Sequence, residues 1–203
     1  MTVKARRSGQ HHGDLRNALE QAALELVSER GPHGFTLAEA CRRAGVSPSA
    51  PYKHFADRDA LLASLAARAF RVQHALFEAA LDSTPDAAAG LAAFAAAYVR
   101  FAAQEKALFD IAFGIGVDAK RHPELTEAGT ALRDLLMPVA LDITHDEAAA
   151  FDLIVRVAAA AHGESVFLQQ GILGAEPEPL ASAEQRAVET ARAVISQVRT
   201  SAS

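Results

Sequence analysis

Apolar residues recur along this chain at the spacing of one helix face and almost nowhere alternate. In the first stretch Leu15, Ala18, Leu19, Ala22, Ala23, Leu26 and Val27 follow i, i+3, i+4, i+7 order. Asp14 precedes them as a candidate N-cap, and Gly31-Pro32 stops the pattern. Thr36-Leu37-Ala38-Glu39 then has the form of a capping box, in which the Thr side chain takes the Glu backbone N–H and the Glu reaches back. It opens a short helix to about Ala44. Gly45 supplies the positive φ that a sharp interhelical turn needs. Ser47-Pro48 is a cap followed by a proline whose missing N–H costs nothing there, so a second short helix is predicted to start at that point. Leu37, Ala40, Cys41, Val46, Tyr52 and Phe55 can close a small core between the two, which is the grammar of a helix-turn-helix.

Asp57-Arg58-Asp59 opens a long connecting helix to about Asp82, with Leu61, Leu62, Leu65, Phe70, Leu76, Phe77 and Leu81 as its apolar positions. Ser83-Thr84-Pro85 restarts helix through Gln104, and Ala107 to Phe113 form a short one before a loop at Gly114 and Gly116. Pro123 opens the next, expected to reach about Leu141 with a bend at Pro138. Thr144-His145-Asp146-Glu147 is a second capping box, leading a long helix to about Gln170. Ser182-Ala183-Glu184-Gln185 caps a last helix to about Arg199, with Val188, Ala191, Val194, Ile195 and Val198 on one stripe. Nine helices and no strand are predicted, an all-α fold. It divides into a flexible tail over 1–12, a helix-turn-helix domain over 13–60 and a larger helical domain over 61–203.

Composition agrees with this pattern: half the residues are apolar, carried by Ala and Leu, with no Trp and two Tyr. The apolar runs are broken by charge before they reach the roughly 20 residues of a membrane span, even the Ala-rich segment Ala87 to Ala103, which contains Arg100. The basic N-terminus has no apolar run behind it, so no secretory signal is expected and the cytoplasm follows by default. One cysteine, Cys41, cannot form an intramolecular disulfide and fits a reducing compartment.

Charge changes the picture more. The net charge is −5, yet residues 1–60 hold nine Lys and Arg against seven Asp and Glu, a balance of +2, and the remainder carries −7. An acidic C-terminal part is repelled by a duplex, so nucleic-acid contact belongs to the N-terminal end. A non-specific DNA-coating protein needs far more positive charge than this.

Gly31, Phe35, Thr36, Ala40, Ala44-Gly45-Val46-Ser47, Tyr52-Lys53-His54-Phe55 and Asp57-Arg58-Asp59-Ala60-Leu61-Leu62 fall in one register across about fifty residues. On these residues the stretch His11 to Ala63 resembles the DNA-binding domain of the TetR/AcrR family of bacterial transcriptional regulators. His11-His12-Gly13-Asp14-Leu15-Arg16, Ala50-Pro51-Tyr52 and the late pair His162-Gly163 resemble one subgroup. The resemblance implies the nine-helix fold, a homodimer formed by the last two helices, a double-stranded operator and a ligand pocket among the middle helices.

Under that reading Thr36 and Ser47 set two helix starts against phosphate oxygens, although capping alone also explains them. Ser49, Ala50 and Lys53, following Pro48, occupy the recognition helix and meet base edges; a plain solvated face is the alternative. Tyr52 and His54 reach phosphates at either end of this helix, and Arg58 neutralises one more. Pro51 removes an N–H early in the same helix, harmless only within a first turn. A dimer that places two such helices about 34 Å apart implies a palindromic operator.

For the effector, Phe94, Tyr98, Phe101, Phe109, Phe113, Met137, Phe151 and Phe167 either line a pocket or fill a core. Tyr98, His162 and Gln169 are the inward polar groups that would orient a small, largely apolar molecule. Ala158, Ala161, Ala191 and Val194 form small apolar faces suited to a partner helix or to the chain's own core. The helix from Asp57 to Asp82 is the natural lever between effector and DNA. The remaining His and acidic residues show no metal-ligand spacing, His11-His12 lie in a tail, and no cofactor is called for. An all-α enzyme using His162 and Glu164 is disfavoured, because residues two apart on a helix point in different directions. A repressor is the family default, and an activator of the same family is the alternative.

Overall fold

The computed structural model of the chain describes residues 8–114, 116–172, 174 and 177–201. Among these, eight α-helices form and no strand: α1 (Ser8–Arg30), α2 (Leu37–Arg43), α3 (Arg58–Asp82), α4 (Ala87–Gln104), α5 (Lys106–Gly114), α6 (Pro123–Thr144), α7 (Glu147–Gln170) and α8 (Pro179–Ser201). The all-α class is as predicted. The ninth helix, expected from Ser47, is instead a turn followed by one 3₁₀ turn at Pro51–Lys53. The reason is Pro51. The Ala50 N–H reaches back three residues to the Ser47 carbonyl at 3.0 Å. An α-helix would next ask residue 51 to donate to that same carbonyl, and proline has nothing to donate.

Helix ends differ from expectation where two caps compete. α1 begins at Ser8, six residues ahead of Asp14, because once a helix is nucleated downstream a proline-free stretch extends it cheaply. Residues 8–12 of the expected tail are thus helical, and 1–7 lie outside the described residues. α4 is capped by Asp86, which accepts the Ala89 N–H at 2.9 Å; the Ser83 and Thr84 hydroxyls donate to the Ala80 and Leu81 carbonyls and finish α3 instead. The second capping box does not form. Asp146 caps α7 by accepting from Ala149 at 2.8 Å, and the Thr144 hydroxyl donates back to the Ala140 carbonyl at 3.0 Å. α8 starts at Pro179, three residues before Ser182, since proline is preset for a first helical turn. α6 runs through Pro138 to Thr144.

The helices group into two compact units, with the divisions falling inside α3, after the first residue of α5 and near the start of α6. The first comprises the chain up to Ala67 with Ala107–Leu125, the second Arg68–Lys106 with Thr126–Ser203. In the first, Leu19, Leu26, Phe35, Cys41, Phe55, Leu61, Leu62, Leu65 and Ile111 are buried. In the second, α4, α7 and α8 pack against one another pairwise. Their meeting faces are small: Ala92, Ala95, Ala102, Ala161, Ala183, Ala187 and Ala191 are all buried, which lets helix axes approach closely. Ala161 and Ala191 therefore serve the chain's own core, whereas Ala158 and Val194 are half-buried. Charged pairs flank this seam. Arg100 grips Glu184 with two bonds of 2.9 Å, and Arg186 donates to Glu164 at 2.9 Å. α4 is long and apolar enough to cross a bilayer by composition alone, but ten of its residues are buried as the central helix of this unit.

Candidate nucleic-acid interface and effector core

α2 is held at its start by the predicted capping box. Glu39 N–H donates to the Thr36 hydroxyl at 3.2 Å, while the Thr36 N–H donates to the Glu39 carboxylate at 2.8 Å. The Thr36 backbone N–H, then its hydroxyl, then the Arg30 guanidinium hold the Glu39 carboxyl below the usual carboxylate range. Arg43 forks onto Glu29 with bonds of 2.6 and 2.8 Å and lowers that carboxyl in the same way. These bridges pin α2 to the end of α1. Gly45 takes φ +69° after α2, a backbone that other residues adopt only with strain, and the Val46 N–H returns to the Cys41 carbonyl at 3.0 Å.

The turn thus made presents the predicted recognition residues. Ser47, Pro48, Ser49 and Lys53 are exposed, Ala50 is half-buried, and Tyr52 is 65% exposed. The Ser47 and Ser49 hydroxyls lie 3.3 Å apart. Pro51 and Phe55 face inward as anchors, with Phe55 only 2% exposed. His54, half-buried, closes the 3₁₀ turn through its N–H on the Pro51 carbonyl at 2.7 Å. The segment is therefore a short platform: apolar residues below, hydroxyls, a phenol and an ammonium above.

Arg58 is placed differently from its neighbours. Its guanidinium donates to the Pro32 carbonyl and lies 5.0 Å from the centre of the Phe35 ring, with Asp59 at 3.7 Å. It fastens the α1–α2 loop to the start of α3. Arg16, marked in the sequence only as the last residue of the subgroup motif, donates to Ser64 at 2.6 Å, to Glu124 at 2.7 Å and to Glu20 at 3.1 Å, and stacks 5.4 Å from the Phe55 ring centre. The i, i+4 pair Arg16–Glu20 beside an apolar stripe was the available signal.

In the second unit the expected effector residues separate into groups. Phe94 and Tyr98 are buried and form an aromatic cluster with Phe77: ring centroids lie 4.7 Å apart for Phe77–Phe94 and 6.1 Å for Phe77–Tyr98. The Tyr98 hydroxyl and His162 Nδ1 share a hydrogen bond at 3.1 Å. Burial pushes the Tyr98 phenol above, and the His162 imidazole below, their ordinary values. Phe101 is fully buried and Met137 half-buried. Phe167 faces outward at 43% exposure, and so does Phe151. Phe109 belongs to the first unit, buried, with its ring 5.1 Å from that of the half-exposed Phe113. Gln169 donates to the Ala102 carbonyl at 2.9 Å and accepts from Lys106 at 3.3 Å, so its role is to tie α7 to α4.

Gln73 was missed. It is 2% exposed, and its amide nitrogen finds no acceptor among the described residues. Its position between Phe70 and Phe77, at i+3 and i−4 in an apolar stripe, marks it as a polar group directed inward. Among the described residues no cluster of three His, Cys, Asp or Glu could hold a metal; the His11 and His12 side chains lie outside that description.

The comparisons with known proteins agree with this architecture. The profile of bacterial regulatory proteins of the tetR family matches residues 20–65, and that of the tetracyclin repressor-like C-terminal domain matches 91–191. No protein of curated function matches the sequence. Among solved structures, a protein of unknown function from Rhodococcus sp. RHA1 is 31% identical, covering 90% of this chain and 98% of its own, with a TM-score of 0.68. A tetR-family regulatory protein from Rhodococcus RHA1 shares the fold at 18% identity, covering 89% and 96%, with a TM-score of 0.67. So does a TetR-family transcriptional regulator from Streptomyces coelicolor, at 18% identity, 92% and 97% coverage and a TM-score of 0.67. With its N-terminal platform and its C-terminal helical unit each matched in turn, the chain belongs to the TetR family of bacterial regulatory proteins.

Proposed function

We propose that the protein is a cytoplasmic homodimeric repressor that grips a palindromic operator through Thr36, Ser47–Ala50, Tyr52, Lys53 and His54, and releases it when a small, largely apolar molecule enters the second unit. The observation that carries this is the exposed row Ser47, Ser49, Tyr52 and Lys53, held on the buried anchors Pro51 and Phe55. Hydroxyl and ammonium groups so presented suit phosphate oxygens and base edges. Arg58, occupied by Pro32 and Phe35, contributes by fixing the platform and meets phosphate only if it leaves them. The outward residues Phe151 and Val155, one turn apart on α7, favour a partner copy covering that face.

On the effector side, Phe94, Tyr98 and Phe101 offer apolar surface, while Tyr98, His162 and Gln73 offer hydrogen bonds. Induction follows by linkage: a ligand that prefers the conformer unable to span two half-sites shifts the population off DNA. The subgroup marked by His162-Gly163 fits this arrangement, because the imidazole is the partner of Tyr98.

A gel shift with DNA flanking the protein's own gene tests the reading at fixed salt. Wild type should retard one fragment with a symmetric footprint. Tyr52→Ala and Lys53→Ala should each weaken it by about tenfold or more, from the loss of a phosphate or base contact. Equal retention of every fragment, or none, would sink the proposal.

A second test concerns His162. Its imidazole is held below the ordinary value of 6.5 by burial. The unfolded chain therefore binds a proton first as pH falls, so His162 costs nothing above that value and destabilises the fold progressively below it. His162→Gln should melt with a shallower decline than wild type between about pH 7 and 5. Parallel pH curves would show that this imidazole does not govern acid stability.

A further inference from the structure

A cavity of about 180 Å3 lies within the first unit, with Arg16, His54, Phe55, Ala63, Ser64 and Glu124 among its walls. Phe55 is the buried foot of the recognition platform, and the Phe55 and His54 N–H groups both return to the Pro51 carbonyl, at 2.8 and 2.7 Å. The ring and the turn that presents Tyr52 and Lys53 are thus one backbone unit, and a displacement of the ring carries the turn with it. Empty space on one side of that ring withholds contacts that would otherwise fix it. We infer that Arg16 supplies the missing restraint and is a positioning residue for DNA recognition: it meets no DNA itself, and through Phe55 it holds Tyr52, Lys53 and His54 where the duplex engages them.

Arg16 can do this because its own guanidinium is fixed from three helices. Nε donates to Glu20 on α1 at 3.1 Å, and Nη2 donates to Ser64 on α3 at 2.6 Å and to Glu124 in the first turn of α6 at 2.7 Å. Ser64 is buried and donates its own proton to Glu20 at 2.8 Å, so Arg16, Ser64 and Glu20 close into a triangle of hydrogen bonds. A planar fork held by that many partners keeps one orientation. In that orientation its central carbon stands over the Phe55 ring, 5.4 Å from the ring centre and within cation–π range.

The charge of Arg16 is already answered. Glu20 and Glu124 both engage it, and a phosphate would have to displace one of them. Lys53, by contrast, is exposed on the platform. Loss of Arg16 therefore leaves the number of phosphate contacts unchanged and instead adds the ordering of a looser turn to the free energy of binding. The inference rests on the operator reading above.

Titration of the full-length protein against the flanking fragment that wild type retards, repeated over a series of salt concentrations, tests it. Each variant is measured below its own melting midpoint. Lys53→Ala should weaken binding and lower the salt slope by about one, as the loss of a phosphate contact does. Arg16→Ala should weaken binding by about tenfold and leave the slope as in wild type. Combining it with Glu20→Gln removes the stranded carboxylate and raises the melting midpoint, yet affinity should stay as low as in Arg16→Ala, because Phe55 is still unsupported. Arg16→Lys, which keeps the charge without the fork, should show the same loss, so the result stands if Arg16→Ala folds poorly. A slope lowered by about one in Arg16→Ala makes Arg16 a phosphate contact and overturns the inference. So does affinity within about twofold of wild type in both Arg16→Ala and Arg16→Lys, or affinity that Glu20→Gln restores together with stability. If wild type retards no fragment, the operator reading fails first and takes this role with it.

Discussion

Phe94→Ala should lower the stability of the protein by about 3–5 kcal/mol, the range for deleting a large aromatic side chain from a packed interior. Phe94 is 1% exposed and meets Phe77 edge-on at 4.7 Å and Tyr98 at 6.1 Å. Its neighbours cannot slide into the space, because Tyr98 is held by His162 and the surrounding positions of α4, Ala92, Ala95 and Ala97, have no side chain long enough to swing inward. The loss combines transferred area with an unfilled cavity and with edge-to-face contacts that alanine cannot make. Against a total of about 5–15 kcal/mol for a typical domain, this change leaves the second unit marginal. Urea unfolding would register it as a lower midpoint at an unchanged slope. A loss below about 1 kcal/mol would mean that the cluster is loosely packed, against the geometry described above.

Arg16→Ala should cost about 2 kcal/mol, and the distribution of that cost is informative. The pair with Glu124 joins side chains that are 38% and 43% exposed, so screening by solvent limits it to a fraction of a kcal/mol up to about 1. Glu20 is different. Its side chain is 11% exposed, and without Arg16 its carboxylate keeps the Ser64 hydroxyl at 2.8 Å and loses the guanidinium. A carboxylate left without its countercharge at that depth carries most of the penalty. Two companion variants separate the contributions. Glu20→Gln in the Arg16→Ala background should recover about 1 kcal/mol by removing the stranded charge. Arg16→Lys should recover little, because a point charge cannot serve Glu20, Ser64 and Glu124 together. Denaturant midpoints for the three proteins decide the matter; full recovery by lysine would show that charge alone, and not the fork, holds the node together.

The periodicity of α1 and the capping box at Thr36 and Glu39 are local features, set by neighbours within a turn, and they formed as expected. Charge separation between the two ends of the chain likewise needs no tertiary information. Local rules competed at Asp86 and Asp146, where carboxylates three residues ahead of Ala89 and Ala149 captured those N–H groups and the nearby Thr84 and Thr144 turned back to close the preceding helices. Pro51 was recognisable as a breaker, but tolerance of it depended on its place in the turn, which only the backbone reveals. The effector core was less legible. Phe94 and Phe167 look alike in a sequence, and whether a ring is buried or turned outward is decided by helices far away in the chain. Gln169 and Gln73 exchange roles for the same reason: Ala102, sixty-seven residues from Gln169, satisfies the first and not the second.

Cys41 is the one thiol in the sequence; it sits on the inward side of α2 at 1% exposure, and burial holds its pKa above the ordinary value. Only the thiolate of an opened segment can react with a disulfide reagent. Its labelling rate is therefore a clock for the helix beside the recognition platform, ticking at the product of the opening equilibrium and the rate of a free thiol. On the function proposed above, DNA bound at the platform slows that clock in proportion to the fraction bound; a labelling rate that saturating operator DNA leaves unchanged would place the contact elsewhere.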